Sequence, residues 1–106
     1  MKTQLNRGLK RRLMYIENKD GLIAGSDARI GWVTFSKTGQ TVYYRGKSFL
    51  KAGGQGVRGN FIDMETREEY WVSGVKLRGS NVHWAESASV DIDDDAREEF
   101  ERLRGK

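Results

Sequence analysis

The sequence predicts a mainly β fold: a small, partly open barrel or curved antiparallel sheet of five to six strands, with a C-terminal amphipathic helix. Three observations predict it. Short runs rich in β-branched and aromatic residues recur at close spacing. The segments between them are turn-forming Gly, Asn and Asp, with no proline anywhere. Capping chemistry joined to helical periodicity appears only near the C-terminus. Many short strands in a chain of one-domain length favour closure into a small barrel.

Taken in order, residues 1–12 form a basic N-terminal arm, with Leu5, Leu9 and Leu13 at helical spacing, so the arm is either disordered or a short helix. Residues 13–106 form the single barrel-like domain. Leu13 to Glu17 reads as a first strand, followed by the turn Asn18-Lys19-Asp20-Gly21 and a small-residue loop from Leu22 to Asp27. Arg29 to Ser36 and Thr41 to Arg45 make a hairpin about Lys37-Thr38-Gly39-Gln40. A glycine-rich loop spans 51–60. Phe61 to Met64 and Glu69 to Val75 make a second hairpin, and Arg78-Gly79-Ser80-Asn81 turns the chain into Val82 to Trp84. The helix, 94–104, starts where Asp93, Asp94 or Asp95 offers a carboxylate to the free amides of its first turn. Ala96, Phe100 and Leu103 share one face and dock it, basic residues fill its last turn, and Gly105 stops it.

A hydrophobic fraction of 37% against 32% charged residues implies a compact, aromatic-rich core. The absence of cysteine removes disulfides, thiolate metal sites and a cysteine nucleophile. No apolar run approaches a membrane span and the N-terminus lacks the apolar stretch of a signal peptide, so a cytoplasmic protein is expected. Charge is uneven: twelve Lys/Arg face three acids through Asn60, and seven face twelve from Phe61 onward. Such asymmetry points either to an anionic partner or to halves that neutralise each other.

Catalytic constellations are poor. Gly54-Gln55-Gly56-Val57-Arg58-Gly59 has the letters of a dinucleotide fingerprint, but a strand follows it where the pyrophosphate needs a helix N-terminus. Asp91, Asp93 and Asp95 have the spacing that opens a calcium loop, yet Ala96 and Arg102 stand where the turn glycine and bidentate Glu belong. His83 is the only histidine, so no standard zinc site and no supported triad can be built. The pairs Asp63/Glu65 and Glu68/Glu69 read as solvated turn charges. No enzyme, cofactor or metal is expected.

What remains is a block from Arg29 to Trp84 holding nine of the eleven aromatics, interleaved with Lys and Arg. Period-two alternation puts Val42 and Tyr44 on one face with Tyr43 opposite, and Tyr70 and Val72 on one face with Trp71 opposite. Tyr43, Trp71 and Trp32 are therefore the rings whose exposure decides between a surface that stacks bases and a packed core.

The runs Arg12-Leu13-Met14-Tyr15-Ile16-Glu17-Asn18-Lys19, Ala28-Arg29-Ile30-Gly31, Val33-Thr34-Phe35-Ser36-Lys37-Thr38-Gly39, Tyr43-Tyr44-Arg45-Gly46 and Glu69-Tyr70-Trp71-Val72-Ser73-Gly74 resemble a family of small uncharacterised bacterial proteins. Some members carry the automatic label 1-deoxy-D-xylulose-5-phosphate synthase. The resemblance implies a bacterial cytoplasmic protein and transfers no site residue. The synthase itself is a large thiamine-diphosphate enzyme, and this chain has neither its length nor a metal–diphosphate motif.

The expected function is a non-enzymatic module that binds nucleic acid, single-stranded or structured RNA foremost. Its expected binding residues are Tyr43, Arg45, Lys47, Arg58, Trp71, Lys76 and Arg78, with Arg7, Lys10, Arg11 and Arg12 as an electrostatic arm. The alternatives are a protein-interaction module docking a partner through a sheet edge or aromatic patch, and a small-ligand or nucleotide pocket.

Overall fold

A computed structural model describes residues 10–52, 59–75 and 90–105. Among the described residues seven strands precede one helix: β1 Arg11–Asn18, β2 Ala28–Phe35, β3 Thr41–Tyr44, β4 Lys47–Lys51, β5 Phe61–Asp63, β6 Glu69–Gly74, β7 Val90–Ile92 and α1 Asp94–Arg104. The first six strands each pair antiparallel with their neighbour in sequence, and β6 returns to pair with β1. The barrel is thus closed. Closure satisfies strand edges that an open sheet would leave bare.

β7 is the extra strand. It runs parallel to the first half of β2, from Ala28↔Val90 to Ile30↔Ile92, while the second half of β2 pairs with β3 at Thr34↔Tyr43 and Phe35↔Val42. β2 therefore forks along one edge, with β7 and β3 diverging on either side of Trp32.

Inward-facing residues form the main core: Ile16, Val33, Val42, Tyr44, Phe49, Phe61, Tyr70 and Val72, with Ile23 contributed by the loop before β2. The Phe49 and Tyr70 rings stack at 4.3 Å between centroids. A second cluster lies outside the barrel wall, where Phe100 of α1 packs on Tyr15, Ala28 and Ile30. The helix consequently covers the outer face of β1 and β2, and Ala96 is buried with Phe100 as the 3.6-residue period requires.

Several boundaries differ from expectation. β4 and β7 are additional strands, and Lys51 ends β4 instead of opening a loop. Arg11 and Arg12 belong to β1, not to an arm. Gly105 caps α1 with a right-handed φ of −72°, donating its N–H to the Glu101 carbonyl, so its freedom to adopt positive φ is unused. The turn at 78–81, the run 82–84, His83 and most of the 54–59 glycine motif lie outside the described residues.

Asp63 is a clearer correction. It is 2% exposed, and its Oδ1 accepts the Glu65 and Thr66 amides at 2.7 and 3.2 Å, so it organises the β5–β6 turn from within. At the same mouth, Asn18 Nδ2 donates to the Leu22 carbonyl, Glu68 Oε1 and the Tyr70 hydroxyl at 3.0–3.2 Å.

Three tyrosine hydroxyls are held protonated. Burial, then the carboxylates of Glu68 and Asp63, push Tyr70 up from 10.0 to about 12. Tyr44 and Tyr15 are raised by burial and by hydrogen bonds to Asp93 and Glu17, respectively. Unfolded tyrosines ionise near their ordinary value, so above about pH 10 the unfolded chain sheds protons that the native chain retains. Stability fully present below that pH is expected to fall as pH rises toward about 12. Tyrosinate absorbance followed together with circular dichroism checks this: ionisation of these three rings should coincide with alkaline unfolding.

Candidate nucleic-acid interface

Strands β3 and β4 meet at Tyr44↔Lys47, so Arg45 and Gly46 alone make the connection. Both have positive φ, 47° and 83°, which defines the mirror-image turn that matches the twist of a hairpin. Glycine takes that geometry freely, whereas arginine in the left-handed region is uncommon. The turn places the Arg45 guanidinium 3.3 Å from Asp93 Oδ1.

Asp93 organises this mouth of the barrel. It stands at the N-cap of α1, but its side chain makes no capping hydrogen bond, contrary to the sequence expectation. The carboxylate turns into the barrel, where it is 2% exposed. Oδ1 accepts from Arg29 Nε at 2.6 Å and Oδ2 from the Tyr44 hydroxyl at 2.6 Å. Burying a carboxylate is costly unless charged and hydrogen-bonding partners compensate it, and here a guanidinium and a phenol do so while Arg45 adds a second cation. Gly31 makes the space: a Cβ there would lie 2.2 Å from Asp93 Oδ2 and 2.9 Å from Tyr44 Cε1. Arg29 also lies 3.9 Å from Asp91. Part of the charge asymmetry between the halves is therefore neutralised internally.

Beside this network, on the outer face of β2, β3 and β4, runs a groove of about 330 Å³. Trp32, Thr34, Tyr43 and Ser48 line it, with Arg11, Arg45 and Lys47 as its cations. Thr34, Tyr43 and Ser48 are successive register partners, which puts the Tyr43 ring on the outward face between two small side chains. Trp32 is fixed at the fork: its Nε1 donates to the Asp95 carbonyl at 2.9 Å, and the Arg11 guanidinium stacks over its ring at 4.0 Å. Ile30 directs its carbonyl toward β7, where it accepts the Asp93 amide. Backbone direction alternates along a strand, so Trp32, two residues on, directs its own N–H and carbonyl into the fork. Among the described residues the groove thus combines the outward Tyr43 and Trp32 rings, backbone polar groups and the cations of Arg11, Arg45 and Lys47. Lys47 also lies 3.8 Å from Asp63 Oδ2.

The expected site residues divide sharply. Tyr43, Arg45, Lys47 and Arg11 come together in the groove. Trp71 is outward and 41% exposed, but β6 lies three strands from β3 around a six-strand ring, on the opposite side. Tyr43 and Trp71 are therefore not one stacking platform. Arg12 reaches over the Phe35 ring at 5.6 Å and, with Lys10, lines a separate depression beside Ser36 and Lys37 at the far end of the barrel. Arg7, Arg58, Lys76 and Arg78 lie outside the described residues. Sequence reasoning missed the roles of Arg29, Gly31 and Asp93; the one local signal was Tyr44-Arg45-Gly46-Lys47, which reads as a two-residue hairpin turn once β4 is recognised.

Arg45→Asn separates binding from folding. Asn suits a left-handed position, while the exposed side of an ion pair contributes at most about 1 kcal/mol, so stability should change by less than about 1 kcal/mol in urea denaturation. Loss of the cation should nevertheless weaken anion binding in the groove.

No protein-family model, curated protein or solved structure matches the chain. Among the described residues, no helix is long and apolar enough to cross a membrane. Fold and site define a closed six-stranded antiparallel barrel with one added parallel strand and an aromatic–basic groove on its outer face.

Proposed function

We propose that the groove binds nucleic acid with unpaired bases, single-stranded or structured RNA foremost, and that the protein acts as a binding module without catalysis. The observation that carries this reading is the shared placement of Tyr43 and Trp32 with Arg11, Arg45 and Lys47 in one groove. Bases stack on aromatic rings with little regard to sequence, while cations follow the phosphates. A duplex hides its base faces, so unpaired segments are the chemistry the rings favour.

The test is titration of labelled mixed-sequence single-stranded RNA with the full chain, read by fluorescence anisotropy over a range of salt. If each of the three groove cations meets one phosphate, the logarithm of the affinity should fall with that of salt at a slope of about −2. An anisotropy that stays flat at low salt rejects the reading.

A further inference from the structure

We propose a second recognition site, on the outer face of β4 and β5, that docks a partner polypeptide through one apolar side chain flanked by acidic residues. It is independent of the nucleic-acid groove. Phe49, Phe61 and Asp63 point inward, so their neighbours Leu50 and Ile62, themselves register partners, stand outward. Leu50 is 45% exposed and Met64 54% exposed. With Ile62 they line a depression of about 220 Å³ that Lys51, Asp63 and Arg67 complete. Grouped exposed aliphatic side chains mark interaction sites on small proteins, and a methionine thioether adapts its shape to an entering group. Among the described residues the depression has no aromatic ring for a base to stack on.

Charge selects the occupant. Lys51 and Arg67 are exposed at the rim and form no ion pair among the described residues. Arg67 has a φ of 70°, and its N–H donates to the Asp63 carbonyl at 2.9 Å, so the turn presents its side chain at a defined place. Asp63, the one acidic residue of the lining among the described residues, turns its carboxylate inward, with Oδ1 held by the Glu65 and Thr66 amides within the turn. An apolar anchor between acidic residues complements this surface. Strand addition is excluded here, because β4 and β5 each already have two partners in the barrel. The helix of a second copy is a poor occupant: Asp94, Asp95, Glu98 and Glu101 are exposed, but Ala96 and Phe100, its apolar face, are already buried on its own barrel.

The experiment uses the full chain with ¹³C-methyl-labelled methionine. The probe is a short synthetic peptide with one central Leu between Asp and Glu residues. The Met64 methyl signal should shift saturably, while that of Met14, packed against the barrel core, stays in place and reports an intact fold. Peptides with Lys flanks or a central Ala should leave Met64 unmoved, and Leu50→Glu should weaken binding at least about tenfold. Three results would overturn the proposal: a Met64 methyl unmoved at millimolar acidic peptide, undiminished binding by Leu50→Glu, or a Met64 shift produced by single-stranded RNA and not by peptide. The last assigns the surface to nucleic acid instead.

Discussion

Asp93→Ala is expected to destabilise the protein by about 3 kcal/mol, the lower part of the range for breaking a buried ion pair. The substitution strips Arg29, whose side chain is only 15% exposed, of its 2.6 Å partner and leaves the buried Tyr44 hydroxyl without an acceptor. Arg29 keeps its bond to the Ala24 carbonyl, which holds the cost at the lower end. A small domain has only about 5–15 kcal/mol of stability, so the loss is a large fraction of the whole. With a urea m-value of about 1–3 kcal/mol/M, the midpoint should fall by about 1–3 M. Asp93→Asn retains an acceptor for Tyr44 and should cost less. Gly31→Ala, whose Cβ would meet the carboxylate at 2.2 Å, should expel Asp93 from the same pocket. The double variant Gly31→Ala/Asp93→Ala should therefore cost less than the two single losses combined, since both remove one interaction. A wild-type midpoint for Asp93→Ala would mean that this network does not hold the mouth of the barrel.

Tyr43→Ala is expected to weaken single-stranded RNA binding by about 5- to 150-fold, the equivalent of losing about 1–3 kcal/mol of stacking on one ring. The ring stands outward between Thr34 and Ser48 and belongs to neither apolar cluster, so the urea midpoint should barely move. The salt slope should stay at the wild-type value, because no charge is removed. Arg45→Asn should do the reverse, lowering the slope by about 0.7 while leaving the stacking contribution in place. Anisotropy titrations of the two variants at several salt concentrations separate these effects.

The legible part of this protein was what alternation encodes. Val42 and Tyr44 against Tyr43, and Tyr70 and Val72 against Trp71, face as their period predicts, because one side of each strand must fill the barrel. β4 was not legible. Its Phe49 and Leu50 are adjacent, and Leu50 is exposed on the outer face, so no alternation marks the strand. β7 has three residues and owes its place to pairing with Ala28–Ile30, far away in sequence. The same limit governs the site. Nothing local distinguishes an Asp93 that caps its own helix from one whose carboxylate crosses to Arg29 and Tyr44. Asp63 looks like any acid in a turn until Phe49 pairs with it and draws it inside. Grouping Tyr43 with Trp71 failed for a related reason: both are outward, but closure of the barrel sends them to opposite sides.

The most direct test of the groove is photocrosslinking of the full chain to thiouridine-bearing single-stranded RNA, with adduct sites mapped by mass spectrometry. Adducts are expected on Tyr43 or Trp32, lost in competition with unlabelled RNA and suppressed at high salt. Adducts confined to Trp71, or none under conditions where the RNA is in excess, would contradict it.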